Sequence, residues 1–174
     1  MRLYPRTCAA GAAALLALIA AGCTATPSDS PETVEQVDLE RYPGRWYEIA
    51  RIPNRFQDQC AGGTTAEYSL RDDGRIGVLN RCVTEDGDID EARGVARVAD
   101  PQTNARLEVS FVDLLGWQLF WGDYWILGLG PDYGWSLVGH PQRRYGWILS
   151  RTPSISPATR ARIDELLRDN GYDA

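Results

Sequence analysis

The chain of 174 residues contains no lysine, one histidine and one methionine, so all 18 of its basic residues are arginine. A single histidine, His140, excludes the usual histidine-rich metal sites, and cysteines joined by one distant histidine form no recognisable zinc spacing. It also argues against axial haem ligation. No Ser–His–Asp set is legible, so an enzyme built on an activated nucleophile is not expected. Neither a metal nor another cofactor is implied. Basic residues are outnumbered by 24 acidic ones, for a net charge of −6. Such a chain lacks the electrostatic footprint of a nucleic-acid binder and has no charge attraction to an anionic membrane. Long apolar runs are missing too. The longest, Cys8 to Ala21, falls short of the roughly 20 residues that cross a bilayer.

That run follows Arg2 and Arg6, and it suits the apolar region of a secretory signal. Thr24 to Val37 is rich in Thr, Ser, Pro, Asp and Glu, with little to bury, and reads as a flexible tether. A globular domain then begins near Asp38, at residues 38–174, with material for one core.

Within that domain, short β-rich runs alternate with turn residues, the pattern of a sandwich or barrel. The expected strands are Arg45–Ile52, Thr64–Leu70, Arg75–Val83, Ile89–Ala99, Arg106–Val112, Tyr124–Leu129, Gly134–Gly139 and Tyr145–Arg151. Asp73-Gly74 between the second and third is a strong hairpin signal. Eight strands in simple succession predict an all-β, antiparallel up-and-down barrel, with room inside for side chains or one small ligand. Ser156 as N-cap, Pro157 at the first helical position and Asn170-Gly171 at the end predict a helix. Its apolar stripe of Ile163, Leu166 and Leu167 would pack on the barrel's outer wall.

Strand parity adds geometry. With eight alternating strands, the end of the last returns beside the start of the first, so Trp46 and Arg151 become neighbours, and a guanidinium stacks well on indole. The pair would plug the base. The other end is an open mouth carrying Asn54–Gly63, Glu85–Asp88, Asp113–Gly122 and His140–Arg144. Asp113 to Gly122 is unusually apolar for a loop, with Trp117, Phe120 and Trp121. Such a tip meets a ligand, a membrane or a partner, or folds back as core; a homodimer contact is a further option. If Arg151 faces inward, Trp147 and Leu149 do as well; if Trp46 does, Glu48 and Ala50 follow. A buried Glu48 needs a partner. Trp135, on the seventh run, is a further cavity candidate.

Gly44-Arg45-Trp46-Tyr47-Glu48-Ile49-Ala50-Arg51, Tyr68 to Gly74, Gly122 to Leu127, and Trp147 to Pro153 resemble, in order, the motifs of the lipocalins. They look like the bacterial outer-membrane group of that family, itself close to plant temperature-induced lipocalins and animal apolipoprotein D. Gly44, Trp46 and Arg151 are the signature residues that the resemblance marks. Ala20-Ala21-Gly22-Cys23 resembles a lipobox, which implies a lipoprotein signal peptide at residues 1–22, acylation (palmitate among the chains) on Cys23, and a lipidated tether at residues 23–37. The alternative is an ordinary signal cut near Ala21. Thr24 after the cysteine points by resemblance to the outer membrane, at its periplasmic face. Loss of residues 1–22 removes Arg2 and Arg6 and leaves 16 basic against 24 acidic residues, a charge of −8. Cys8 leaves with the signal, which leaves Cys60 and Cys82 as a pair in an oxidising compartment, where a disulfide is expected. Relatives usually continue past Gly171–Ala174 into a further strand, which is expected to be missing or vestigial here.

The resemblance implies a carrier of single-chain lipids, fatty acids or lysophospholipids, serving lipid storage or transport in envelope maintenance under stress. The rival reading is an envelope protein-interaction module whose barrel is filled by its own aromatic side chains.

Overall fold

The computed structural model describes residues 30–173. The apolar run, the signal and Cys23 lie outside the described residues. Eight strands close into an antiparallel barrel: β1 (Gly44–Arg51), β2 (Cys60–Leu70), β3 (Ile76–Thr84), β4 (Ile89–Val98), β5 (Arg106–Ser110), β8 (Gly122–Leu129), β9 (Trp135–Gly139) and β10 (Gly146–Ser150). Each pairs with its sequence neighbour around the wall, and β10 closes on β1. Two short strands, β6 (Val112–Leu114) and β7 (Trp117–Leu119), form a separate hairpin between β5 and β8. The apolar segment read as a loop is therefore a structured β-ribbon. Leu115 and Gly116 turn it, both at positive φ (54° and 85°), as a two-residue hairpin connection requires.

Period-two alternation divides the wall into two faces. Trp46, Ala66, Tyr68, Val78, Val138 and Leu149 fill the inside. Outside, Leu127, Leu137 and Ile148 pack beneath α1 (Pro157–Asp169), whose Ile163 is fully buried. Ser156 caps the helix by accepting from the Thr159 amide. The outer wall of β1–β4 carries instead a charged chain, Arg45–Glu67–Arg81–Glu91–Arg93. The barrel thus has one wet wall and one covered by the helix, and the alternation of the strands produces both.

Two expectations are corrected here. A bulge between Glu48 and Ala50 shifts the register against β10, and Ala50 packs outside with the helix cluster, while Glu48 stays inside. A bulge places two residues opposite one and so reverses the alternation. The N-terminal segment also starts its packing earlier than Asp38. The Glu32 amide donates to Asn170 Oδ1 (2.7 Å), that of Val34 to the Ile126 carbonyl (2.9 Å) and that of Val37 to the Thr103 carbonyl (2.8 Å). Val37 is buried. Residues 31–37 are a strap laid along the barrel, because Val34 and Val37 supply the apolar contacts that a polar average composition hides.

Candidate functional site: the barrel interior and its mouth

The base is closed by residues of the first strand and the last. Gly44 takes φ of 101°, and a Cβ there would lie 3.2 Å from an Arg151 nitrogen, so the close approach of the arginine and the backbone twist both call for glycine. Two residues on, Trp46 is fully buried, its Nε1 donating to the Tyr42 carbonyl (3.0 Å). The Arg151 guanidinium lies 3.8 Å from the centre of the Trp46 ring and donates to the carbonyls of Arg41, Tyr42, Pro43 and Arg45. These bonds tie the turn before β1 to the end of β10.

Above this plug stands a chain of hydroxyls: Ser136 Oγ to Tyr42 (3.0 Å), Tyr42 to Tyr124 (2.9 Å) and Tyr124 to Tyr68 (3.0 Å). Removal from water pushes the Tyr42 phenol up to about 12, more strongly than its bonds to Ser136 and Tyr124 and the nearby Arg151 pull it down. The same desolvation raises Tyr68 and Tyr124 well above the ordinary phenol value. These groups are neutral hydroxyls at any physiological pH. With Trp46 they fill the lower half of the barrel.

The upper half is different. Asn80 pairs with Ala66 on one side and Ala92 on the other, so all three share the inner face, yet Ala92 is exposed. The Asn80 Oδ1 and Thr64 Oγ1 atoms are buried without a hydrogen-bond partner. Trp147 and Leu149 face inward, and Trp147 stacks on Tyr145 (6.2 Å between ring centres). Glu48 is largely buried; its carboxylate accepts from Arg51 Nη1 (2.5 Å) and from Gln57 Nε2 (2.8 Å). Gln57 Oε1 in turn accepts from Trp147 Nε1 (3.0 Å) and Asn54 Nδ2 (3.0 Å). An open pocket of about 340 Å³ lies beside this network, lined by Arg51, Pro53, Asn54, Gln57, Asp58 and Cys60. Cys60 and Cys82 form a disulfide that fastens the start of β2, where the β1–β2 loop ends, to β3 at the mouth.

Arg51 and Gln57 were not singled out by the sequence. Arg51 regains the inner face only because of the bulge, opposite Trp147. Gln57 lies in a short 3-10 turn with no periodicity to read.

Of the aromatic candidates, Trp147 alone stands in the cavity. Trp135 packs outside among the helix-covered residues, its ring against Gly130; its neighbour Ser136 takes the inner face and bonds Tyr42. Trp121 lies on the outer wall under the Arg97 guanidinium (4.0 Å). Trp117 and Phe120 are exposed on the hairpin at the mouth. His140 is buried beside the mouth, 3.8 Å from Asp123, and burial lowers its pKa more than Asp123 raises it. Its Nδ1 accepts from the Gln142 amide. Among the described residues no cluster of three His, Cys, Asp or Glu is placed to hold a metal ion.

The family description "Lipocalin-like domain" matches residues 37–174. The outer membrane lipoprotein Blc of Escherichia coli is 38% identical over 174 residues, covering 99% of this chain and 93% of that protein. Temperature-induced lipocalin-1 of Arabidopsis thaliana is 41% identical over 151 residues (85% of this chain, 81% of that protein). Apolipoprotein D of Mus musculus is 35% identical over 153 residues, covering 83% and 76%. Among solved structures, insecticyanin of the tobacco hornworm Manduca sexta shares the fold at a TM-score of 0.62 and 22% identity, covering 80% of this chain and 76% of that one. With the closed eight-stranded barrel, the outer helix and the Trp46–Arg151 plug, these likenesses show that the chain belongs to the lipocalin family.

Proposed function

We propose that this lipocalin is a binding protein, not an enzyme, which carries single-chain lipids (fatty acids or lysophospholipids) in the upper half of its barrel, for lipid storage or transport in envelope maintenance under stress. Lipocalins bind small hydrophobic ligands. The observation that carries the reading is the contrast within the interior: a sealed, hydroxyl-bonded floor below, and above it an inner wall in which Ala92 is open and Asn80 and Thr64 keep unpartnered polar atoms. An acyl chain would lie against Trp147 and Leu149, with its polar end towards Glu48, Gln57 and the mouth. At roughly 0.8 kcal/mol per buried methylene, about fourteen such groups give about 11 kcal/mol, which leaves about 8 kcal/mol, a micromolar affinity, once about 3 kcal/mol of ordering cost is subtracted.

The relatives named outer membrane lipoproteins support an envelope location. We place the protein at the periplasmic face of the outer membrane, held by acyl chains on Cys23, since two or more chains anchor stably where one binds marginally.

Solvent extraction with mass spectrometry, followed by titration of oleate and lysophospholipid against tryptophan fluorescence, tests the carrier. Saturable quenching near one equivalent, weakened by Trp147→Ala, supports it. An empty extract and a flat titration would leave the barrel a plug filled by its own side chains, and the protein an interaction module.

A further inference from the structure

Among the described residues, nine large apolar side chains are exposed, and all but Leu70 lie at the mouth. The β6–β7 hairpin dominates the set: Leu115 is 93% exposed, Phe120 84% and Trp117 76%. This is no frayed loop. Its strands are paired from Val112–Leu119 to Leu114–Trp117, and Asp113, the acid within it, is held by the Gly116 amide and Gln118 Nε2. The apolar tip is therefore presented by a defined scaffold, with its carboxylate turned to local partners.

The strap fixes where the chain arrives. It starts with Glu32 bonded to Asn170, and the Asn170 carbonyl accepts from Arg143, a residue of the β9–β10 loop at the mouth. Residue 30 thus lies at the mouth end of the barrel, and the strap descends from there along β8 to Thr103 at the base. The hairpin rises from the tops of β5 and β8, on the same side. Six residues separate Ser30 from Cys23, and the seven chain steps between the two span at most about 25 Å fully extended.

We propose that the β6–β7 hairpin seats the mouth on the membrane that holds Cys23, inserting Leu114, Leu115, Trp117 and Phe120 between lipid headgroups. The inference rests on the lipid anchor at Cys23, and not on which lipid the barrel carries. A short tether leaving the mouth end keeps the mouth, not the base, next to the bilayer. A tryptophan beside leucines suits the headgroup boundary. A narrow two-residue tip offers far less area than the roughly 1,200 Å² that a stable protein interface buries, which favours lipid over a second copy. The acidic turn Glu85-Asp86-Gly87-Asp88 shares the mouth, so a zwitterionic surface suits it better than an anionic one.

The test uses the full-length protein made in cells and reconstituted into vesicles. A photoreactive phenylalanine analogue replaces Leu115 in one sample and Leu70, exposed at the base, in another. Lipid adducts are counted by mass in phosphatidylcholine and in phosphatidylglycerol vesicles. The expected result is several-fold more adduct from position 115 than from 70, and more in phosphatidylcholine than in phosphatidylglycerol. Equal yields at the two positions, or cross-links from 115 that join protein to protein, would overturn the proposal. Palmitate labelling of Cys23 in the same samples decides the anchor separately: a lipid adduct at 115 without label would overturn the seating on a membrane that holds Cys23, while label without an adduct at 115 would keep the anchor and overturn the docking.

Discussion

Arg151 stacks on Trp46 at 3.8 Å and at the same time donates to carbonyls on both sides of Tyr42. The arginine is a cap for the turn before β1, and the indole is the surface that holds the cap flat. Replacing Arg151 by Ala leaves several carbonyls short of a donor at once, each worth about 1–3 kcal/mol if it stays dry. We expect Arg151→Ala to cost about 3 kcal/mol or more in urea unfolding, and Arg151→Lys, which has no fork, to recover only part. A cost below that of an ordinary surface substitution would contradict the capping role.

The disulfide is expected to matter for stability. Cys60 and Cys82 are 22 residues apart, and closing a loop of that length removes about 3 kcal/mol of freedom from the unfolded chain. The double substitution Cys60→Ser with Cys82→Ser should lower the unfolding free energy by about that much. Ligand titration of the still-folded variant would show whether the mouth also loosens.

High pH should unfold the barrel through its floor. Below the ordinary phenol value of 10 the tyrosines are neutral folded or unfolded, and the pH changes nothing through them. Above it the unfolded chain loses those protons while Tyr42, Tyr68 and Tyr124 keep theirs. Stability then falls with rising pH, by up to about 1.4 kcal/mol per pH unit for each phenol. For Tyr42 the fall levels off near pH 12. Stability measured against pH in Tyr68→Phe should show a shallower alkaline slope; an unchanged slope would remove Tyr68 from the account.

Trp135 and Trp147 offer a paired comparison. Trp135→Ala empties the packing between β9 and the helix and should cost about 3 kcal/mol of stability while leaving lipid affinity near its original value. Trp147→Ala should cost affinity, and it also removes the indole N–H donated to Gln57 Oε1, one of the bonds that hold the side chain whose Nε2 donates to Glu48. Reversed effects would put the ligand outside the barrel.

The eight barrel strands, the helix with its Ser156 cap and the meeting of Trp46 with Arg151 are legible in the sequence, because each follows from a short-range pattern or from parity, whereas the β6–β7 ribbon reads as an apolar loop. What parity could not supply was the bulge at Glu48–Ala50, one residue that returns Arg51 to the inner face and sends Ala50 out. Trp135 and Trp147 look alike in sequence; Ser136 and its bond to Tyr42 separate them, and that bond spans 94 positions. The hydroxyl chain has a local signal: Tyr68 stands two residues from Ala66 and Tyr124 two from Ile126, the rhythm of an inner face. The strap has almost none, since two valines among one proline and four polar residues carry little weight until Ile126 and Thr103 are found beside them.

The strap also has a mechanical meaning. A pull on the N-terminal side of the strap loads the bond of Glu32 to Asn170, then that of Val34 to Ile126, then that of Val37 to Thr103, down the side of the barrel. Bonds loaded one after another yield at low force and lengthen the leash with each rupture. The pairing of β1 with β10 that closes the barrel lies beyond the strap in the chain and is pulled on directly only once the strap is spent. Residues 31–37 are thus a shock absorber, and they give slack before the closed wall is strained.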